Sequence, residues 1–98
     1  MRIVLTDFGR SLISRVRGQA VRDAVLRDIG DARVVELDFS GIQNVSYSFV
    51  DELVGNLVSM HEAGHLAAEV RVTNSMPMTA MHVQTCLDRR ASSRPLVA

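Results

Sequence analysis

The run His61-Glu62-Ala63-Gly64-His65 spells H-E-x-x-H. On a helix, two histidines four apart share a face and can hold one Zn²⁺ between them, while the glutamate activates a water molecule. Glu69 lies a few residues on and is the candidate for a third ligand. Gly64 argues against this chemistry. A pattern of strand character begins at Glu69, so a preceding helix must stop near Gly64, and a helix that stops there carries His65 off the ligand face. A zinc-dependent hydrolase using His61, Glu62 and His65 is the alternative reading; the preferred one makes both histidines solvent-facing or helix-capping residues.

Ser48 is the second candidate. With Asp51 three residues later it forms a Ser-x-x-Asp capping pattern, and its hydroxyl is expected to cap a helix over about residues 49–63. The same position is a candidate phosphoacceptor, because the positive end of a helix dipole favours a phosphate. Asp51 and Glu52 oppose it, and no basic residue lies nearby in sequence. Tyr47, the only tyrosine, is either a contact anchor or lies flat on the helix. Cys86 reads as a small core residue, and His82 beside it has no acidic group to orient it as a base. Met76, Met78 and Met81 are gap-filling core or an adaptable contact surface.

Composition removes several other chemistries. All eleven basic residues are arginines, matched by eleven acidic ones, so phosphate-loop, Schiff-base and general-base lysines are excluded. The balance gives no global attraction to nucleic acid or an anionic membrane. Arg10, Arg15, Arg17, Arg22 and Arg27 alternate with Asp23 and Asp28 and read as a solvated face. No glycine-rich phosphate loop is present, and no cofactor or metal is expected. The single cysteine precludes an intrachain disulfide. A chain start that reaches Asp7 after three apolar residues is too short for a signal peptide, so a cytoplasmic location is expected.

These residues must be positioned by regular elements. Ile3 and Leu5 alternate with Arg2, Val4 and Thr6; Val35, Leu37 and Phe39 with Val34, Glu36 and Asp38; Val70 and Val72 with Glu69, Arg71 and Thr73. Period two marks strands with one face toward a core. Between them, Ala20, Val21, Ala24, Val25 and Ile29 form a helical stripe ended by Gly30, with Gly18 weakening its start. Val50, Leu53, Val54, Leu57 and Val58 form a second. A third helix opens at Ser75-Met76-Pro77 and continues through Met81, Val83 and Leu87. The expected architecture is α/β, β-α-β-α-β-α, mainly parallel, with helices on one sheet face. One domain over 1–88 and a frayed tail over 89–98 complete it.

The stretch Leu37-Asp38-Phe39, Gly41-Ile42, Val45-Ser46 and Ser48-Phe49-Val50-Asp51-Glu52-Leu53 resembles the STAS-like family, relatives of the sulfate-transporter and anti-sigma-factor-antagonist domain. Ser14-Arg15 with Ala20 is similar to that family's entry to its first helix. The likeness covers about residues 1–75 and is densest over 35–54. It implies a one-sided stack of βα units and a regulatory, non-enzymatic role. In the anti-sigma-factor antagonists a serine at this helix start is phosphorylated by a partner kinase with a histidine-kinase-like ATPase fold, and the matching residue is Ser48. Those antagonists carry Asp-Ser-Ser-Gly-x-Gly, whereas this chain has Ser46-Tyr47-Ser48-Phe49-Val50-Asp51.

The expected function is therefore a protein-protein interaction module. It would bind a protein partner, which the resemblance implies is ATP-binding and kinase-like, through Ser46, Tyr47, Ser48, Phe49 and Asp51. A further reading is a homodimer assembled through the uncovered sheet face, on which Glu36 and Arg71 would pair across strands or across the interface.

Overall fold

Alternating sequence does become strand. In the computed structural model, which describes residues 1–92, β1 (Arg2–Val4), β3 (Val34–Asp38) and β5 (Glu69–Thr73) form a parallel sheet in the order β1-β3-β5. Parallel neighbours cannot be joined by a hairpin, so each connection carries a helical crossover. The first is α1 (Arg15–Asp28). The second is one helical body from Tyr47 to Glu62: α2 (Tyr47–Val50), a π-helical turn (Asp51–Gly55) and α3 (Asn56–Glu62). α4 (Pro77–Ser92) follows β5. Among the described residues no helix is long and apolar enough to cross a membrane.

Val35, Leu37 and Phe39 point into the core and are buried against Val21 and Val25 of α1 and Val50, Leu53 and Leu57 of the helical body. Each such side chain contributes roughly 1.5–3 kcal/mol through burial, which fixes the register of β3, since a one-residue slip would turn all three outward.

The class is α/β with parallel strands and helices, and two additions modify the simple alternation. After β1 the chain makes a 3₁₀ turn, Leu5–Phe8, and then β2 (Ser11–Leu12) pairs in parallel with β4 (Asn44–Val45), Leu12 opposite Val45. Bridges this short leave no periodicity in a sequence. The second correction concerns the tail. Helix α4 runs through Ser92, past the expected boundary at 88, because Arg90 is anchored against the helical body; the rest of that expected tail, 93–98, lies outside the described residues.

The uncovered sheet face is a polar lattice. Asp38 is fully buried although it points away from the helices. Arg2 bonds and ion-pairs its carboxylate from β1, the Asn74 amide donates to it at 2.9 Å, and the Ser40 backbone N–H donates at 2.9 Å. These donors hold Asp38 well below the usual carboxylate range, the Asn74 bond contributing most. One side chain thus ties β1, the turn after β3 and the end of β5. Within the chain Glu36 and Arg71 do not pair across the strands: Glu36 accepts from the Thr73 hydroxyl at 2.8 Å, and Arg71 turns to Glu69 at 3.5 Å.

Candidate functional site

In a parallel βα arrangement every helix after a strand begins at the sheet's carboxyl edge, and loops there carry most sites. Here α1, the Tyr47–Glu62 body and α4 all start at that edge. The helical body lies between the other two. Gly18 of α1 is buried against it, and a Cβ there would lie 2.9 Å from the Glu52 Cβ and 3.0 Å from the Phe49 carbonyl oxygen. The glycine that weakens α1 by propensity is what lets the two helices touch.

The cap is Ser46, not Ser48. Ser46 has extended backbone angles, and its hydroxyl accepts from the Phe49 N–H at 3.1 Å. The helix starts at Tyr47, two residues earlier than its apolar stripe predicts, which places Ser48 inside the first turn. Asp51 is no cap partner either. Ser48 is half-buried, its hydroxyl has no hydrogen-bond partner among the described residues, and no polar side-chain atom there is buried unsatisfied. That hydroxyl therefore opens to solvent.

Asp51 is the hub of a different cluster. Arg15 Nη1 of α1 donates to its Oδ2 at 2.7 Å, Arg90 Nε of α4 to its Oδ1 at 3.0 Å, and the Cys86 thiol to Oδ1 at 3.3 Å. Burial pushes the Asp51 carboxyl up, but the bonds from Arg15, Arg90 and Cys86 outweigh it and hold the group at about 2. Burial, with the Asp51 carboxylate beside it, pushes the Cys86 thiol up to about 11, so it is an inert core thiol, not a nucleophile.

The π-helical turn fits this cluster. An extra residue in a helical turn disturbs the usual carbonyl pairing, and side-chain donors commonly enter there. Arg90 Nη2 donates to the Asp51 carbonyl at 2.9 Å, while Asn56 Nδ2 and Arg22 Nη1 donate to the Glu52 carbonyl at 2.8 and 3.1 Å. Arg22 also pairs with the Glu52 carboxylate. Gly55 leaves the space: a Cβ on it would lie 2.4 Å from Arg90 Nε and 2.6 Å from the Cys86 sulfur.

Of the five expected contact residues, the structure brings two to an accessible position. Phe49 is fully buried and belongs to the core, Ser46 spends its hydroxyl on the cap, and Asp51 is held by its arginines. Ser48 and Tyr47 remain. The Tyr47 ring meets the His82 ring edge-on at 6.1 Å, and the Arg89 guanidinium stands 4.9 Å from its centroid. The tyrosine thus leans on α4, and His82 serves this contact instead of Cys86.

His61 lies in the last turn of α3, with Nδ1 3.0 Å from the Leu66 carbonyl oxygen. The chain then reverses at Gly64, φ +81°, so His65 lies beyond the helix and the paired ligand face required by H-E-x-x-H is not built. No cluster of three or more metal-ligating side chains occurs among the described residues.

No curated protein and no solved structure matches the chain. The family described as a STAS-like domain of unknown function matches over residues 17–80, from α1 through the first turn of α4, and so spans the Ser46 cap, Ser48 and the Asp51 hub. The chain belongs to the STAS-like domain family.

Proposed function

We propose that this chain is a non-enzymatic regulatory module of the cytoplasm that binds a protein partner through the start of its Tyr47–Glu62 helical body, with Ser48 as a phosphorylation switch. The observation that carries the reading is the contrast within that first turn: the side chains of Ser46, Asp51 and Glu52 are committed to internal bonds, while the Ser48 hydroxyl opens to solvent without a hydrogen-bond partner among the described residues. The turn offers a phosphate the positive end of a helix dipole. Asp51 and Glu52, which in sequence oppose a phosphate, are charge-compensated by Arg15, Arg90 and Arg22. The resemblance to the anti-sigma-factor antagonists suggests the partner class, an ATP-binding protein with a histidine-kinase-like fold that acts on serine.

The test is incubation of the whole chain with ATP and each such kinase of its own cell, followed by mass spectrometry and binding measurements. The expected result is one phosphate, on Ser48, and a binding preference that Ser48→Asp alters in the same direction. Absence of phosphate on Ser48 together with unchanged binding by Ser48→Asp overturns the switch.

A further inference from the structure

Along the sequence no cation stands near Ser48, but the fold brings one from α1. Both α1 and the helical body start at the same sheet edge and rise together: Gly18 packs on Phe49 and Glu52, and Arg22 bonds Glu52. Arg15 is the first residue of α1, three before Gly18. It therefore lies about 4.5 Å nearer that edge, level with Tyr47 and Ser48.

The faces of the helical body's first turn complete the placement. At about 100° per residue, Ser48 lies about 100° round from Tyr47, Asp51 about 40° and Glu52 about 140°. Tyr47 and Asp51 face α4, where they meet His82, Cys86 and Arg90, and Glu52 faces α1. Ser48 thus opens between the two helices, its Cβ about 5–6 Å from that of Asp51. Arg15 starts on the α1 side and ends on Asp51, Nη1 to Oδ2 at 2.7 Å, so its side chain passes over Ser48. That side chain is 50% exposed, and its Nε and Nη2 make no hydrogen bond among the described residues. The other charged or titratable groups around the turn are occupied. Arg22 pairs with Glu52, Arg90 with Asp51, and His82 and Arg89 lie against the Tyr47 ring. If Arg15 turns away, Asp51 still keeps Arg90 and the Cys86 thiol.

We propose that Arg15 is the intramolecular receptor for a phosphate on Ser48: its free guanidinium nitrogens take the phosphate oxygens and tie the first turn of α1 to the start of the helical body. This rests on the reading of Ser48 as the switch and adds how the chain itself registers the charge. The planar arginine fork suits a phosphate because two parallel N–H bonds reach two of its oxygens, whereas Asp51 receives one bond from Arg15. Phosphorylation then presents a partner with two linked helix starts rather than one added charge.

The test needs no kinase. Phosphoserine is incorporated at position 48 of the full chain by codon reassignment, and its ³¹P chemical shift is followed against pH at low salt. In the folded chain the second ionisation of the phosphate should lie below its value in the urea-unfolded chain, which is expected at about 6. Arg15→Gln should raise the folded value by at least about 0.5 of a pH unit and Arg15→Lys by less. Arg71→Gln, on the bare sheet face, should leave it in place. Circular dichroism checks that each variant is folded, and if Arg15→Gln is not, Arg15→Lys and the folded-against-unfolded comparison decide. A folded value at or above the unfolded one, or one that loss of Arg15 does not move, overturns the receptor and leaves Ser48 free to be a switch. Failure of every kinase to modify Ser48, with the ³¹P shift as expected, overturns the switch and leaves the Arg15 receptor standing.

Discussion

Arg90 grips Asp51 twice, Nε to the carboxylate at 3.0 Å and Nη2 to the backbone carbonyl at 2.9 Å, so that the last turn of α4 is fastened to the middle of the helix that carries Ser48. Arg15 takes the remaining carboxylate oxygen from α1. Three helices meet on one side chain, and much of what can be tested about the fold concerns that junction.

Asp51→Ala leaves Arg90 without its carboxylate in a half-buried setting. A fully buried pair broken on one side costs ~3–5 kcal/mol, and partial exposure reduces this to about 2 kcal/mol here. Urea denaturation at neutral pH measures the loss directly.

The same carboxylate sets part of the acid limb. Its folded value of about 2 lies below the ordinary 3.8, so the unfolded chain binds the proton more readily. The stabilisation is fully present above pH 3.8 and is lost as pH falls through about 2. Asp38, also held low, adds a second contribution of the same sign. Native protein should therefore lose stability steeply over that interval, and Asp51→Ala less steeply, as read from denaturation midpoints across a pH series.

Gly55→Ala should destabilise by about 1–3 kcal/mol even though alanine is the better helix former, because its Cβ meets Arg90 and Cys86 at distances no neighbour tolerates. The m-value should be unchanged and the urea midpoint lowered.

Ser46→Ala and Ser48→Ala separate the cap from the switch. Removing the Ser46 hydroxyl frees the Phe49 N–H and should cost about 1 kcal/mol. Removing that of Ser48 breaks no internal bond and should stay within about 0.5 kcal/mol. Thermal unfolding of the two variants side by side decides the assignment.

Metal removal should do nothing. With His65 beyond the turn at Gly64, dialysis against EDTA is expected to leave the melting temperature unchanged, and a drop on chelation would contradict the geometry.

The sheet and its helices were legible because burial imposes period: Val35, Leu37 and Phe39 could face only one way, and the Val50-Leu53-Val54-Leu57 stripe only one partner. Local chemistry was less legible. Ser46 and Ser48 are both good caps, and the choice between them is made by β4, which holds Val45 against Leu12 and delivers Ser46 at the last extended residue. Pairing Asp51 with Arg15 and Arg90 joins residues 36 and 39 positions apart, which no local pattern encodes. Asp38 stood in the sequence as an outward strand residue, and only the register with β1 and the turn at Asn74 reveals it as buried. Gly18 and Gly55, which propensity marks as weaknesses, could have been read as close-approach positions once two helices were set side by side.

Site-specific photo-crosslinking in the cell of origin addresses the central claim most directly, with a photoreactive benzoylphenylalanine placed at position 47 and, in a separate chain, at position 71 on the bare sheet face. The account predicts a discrete protein adduct from position 47, altered when Ser48→Asp is added, and none from position 71. Adducts from position 71 alone, or from neither, would contradict it.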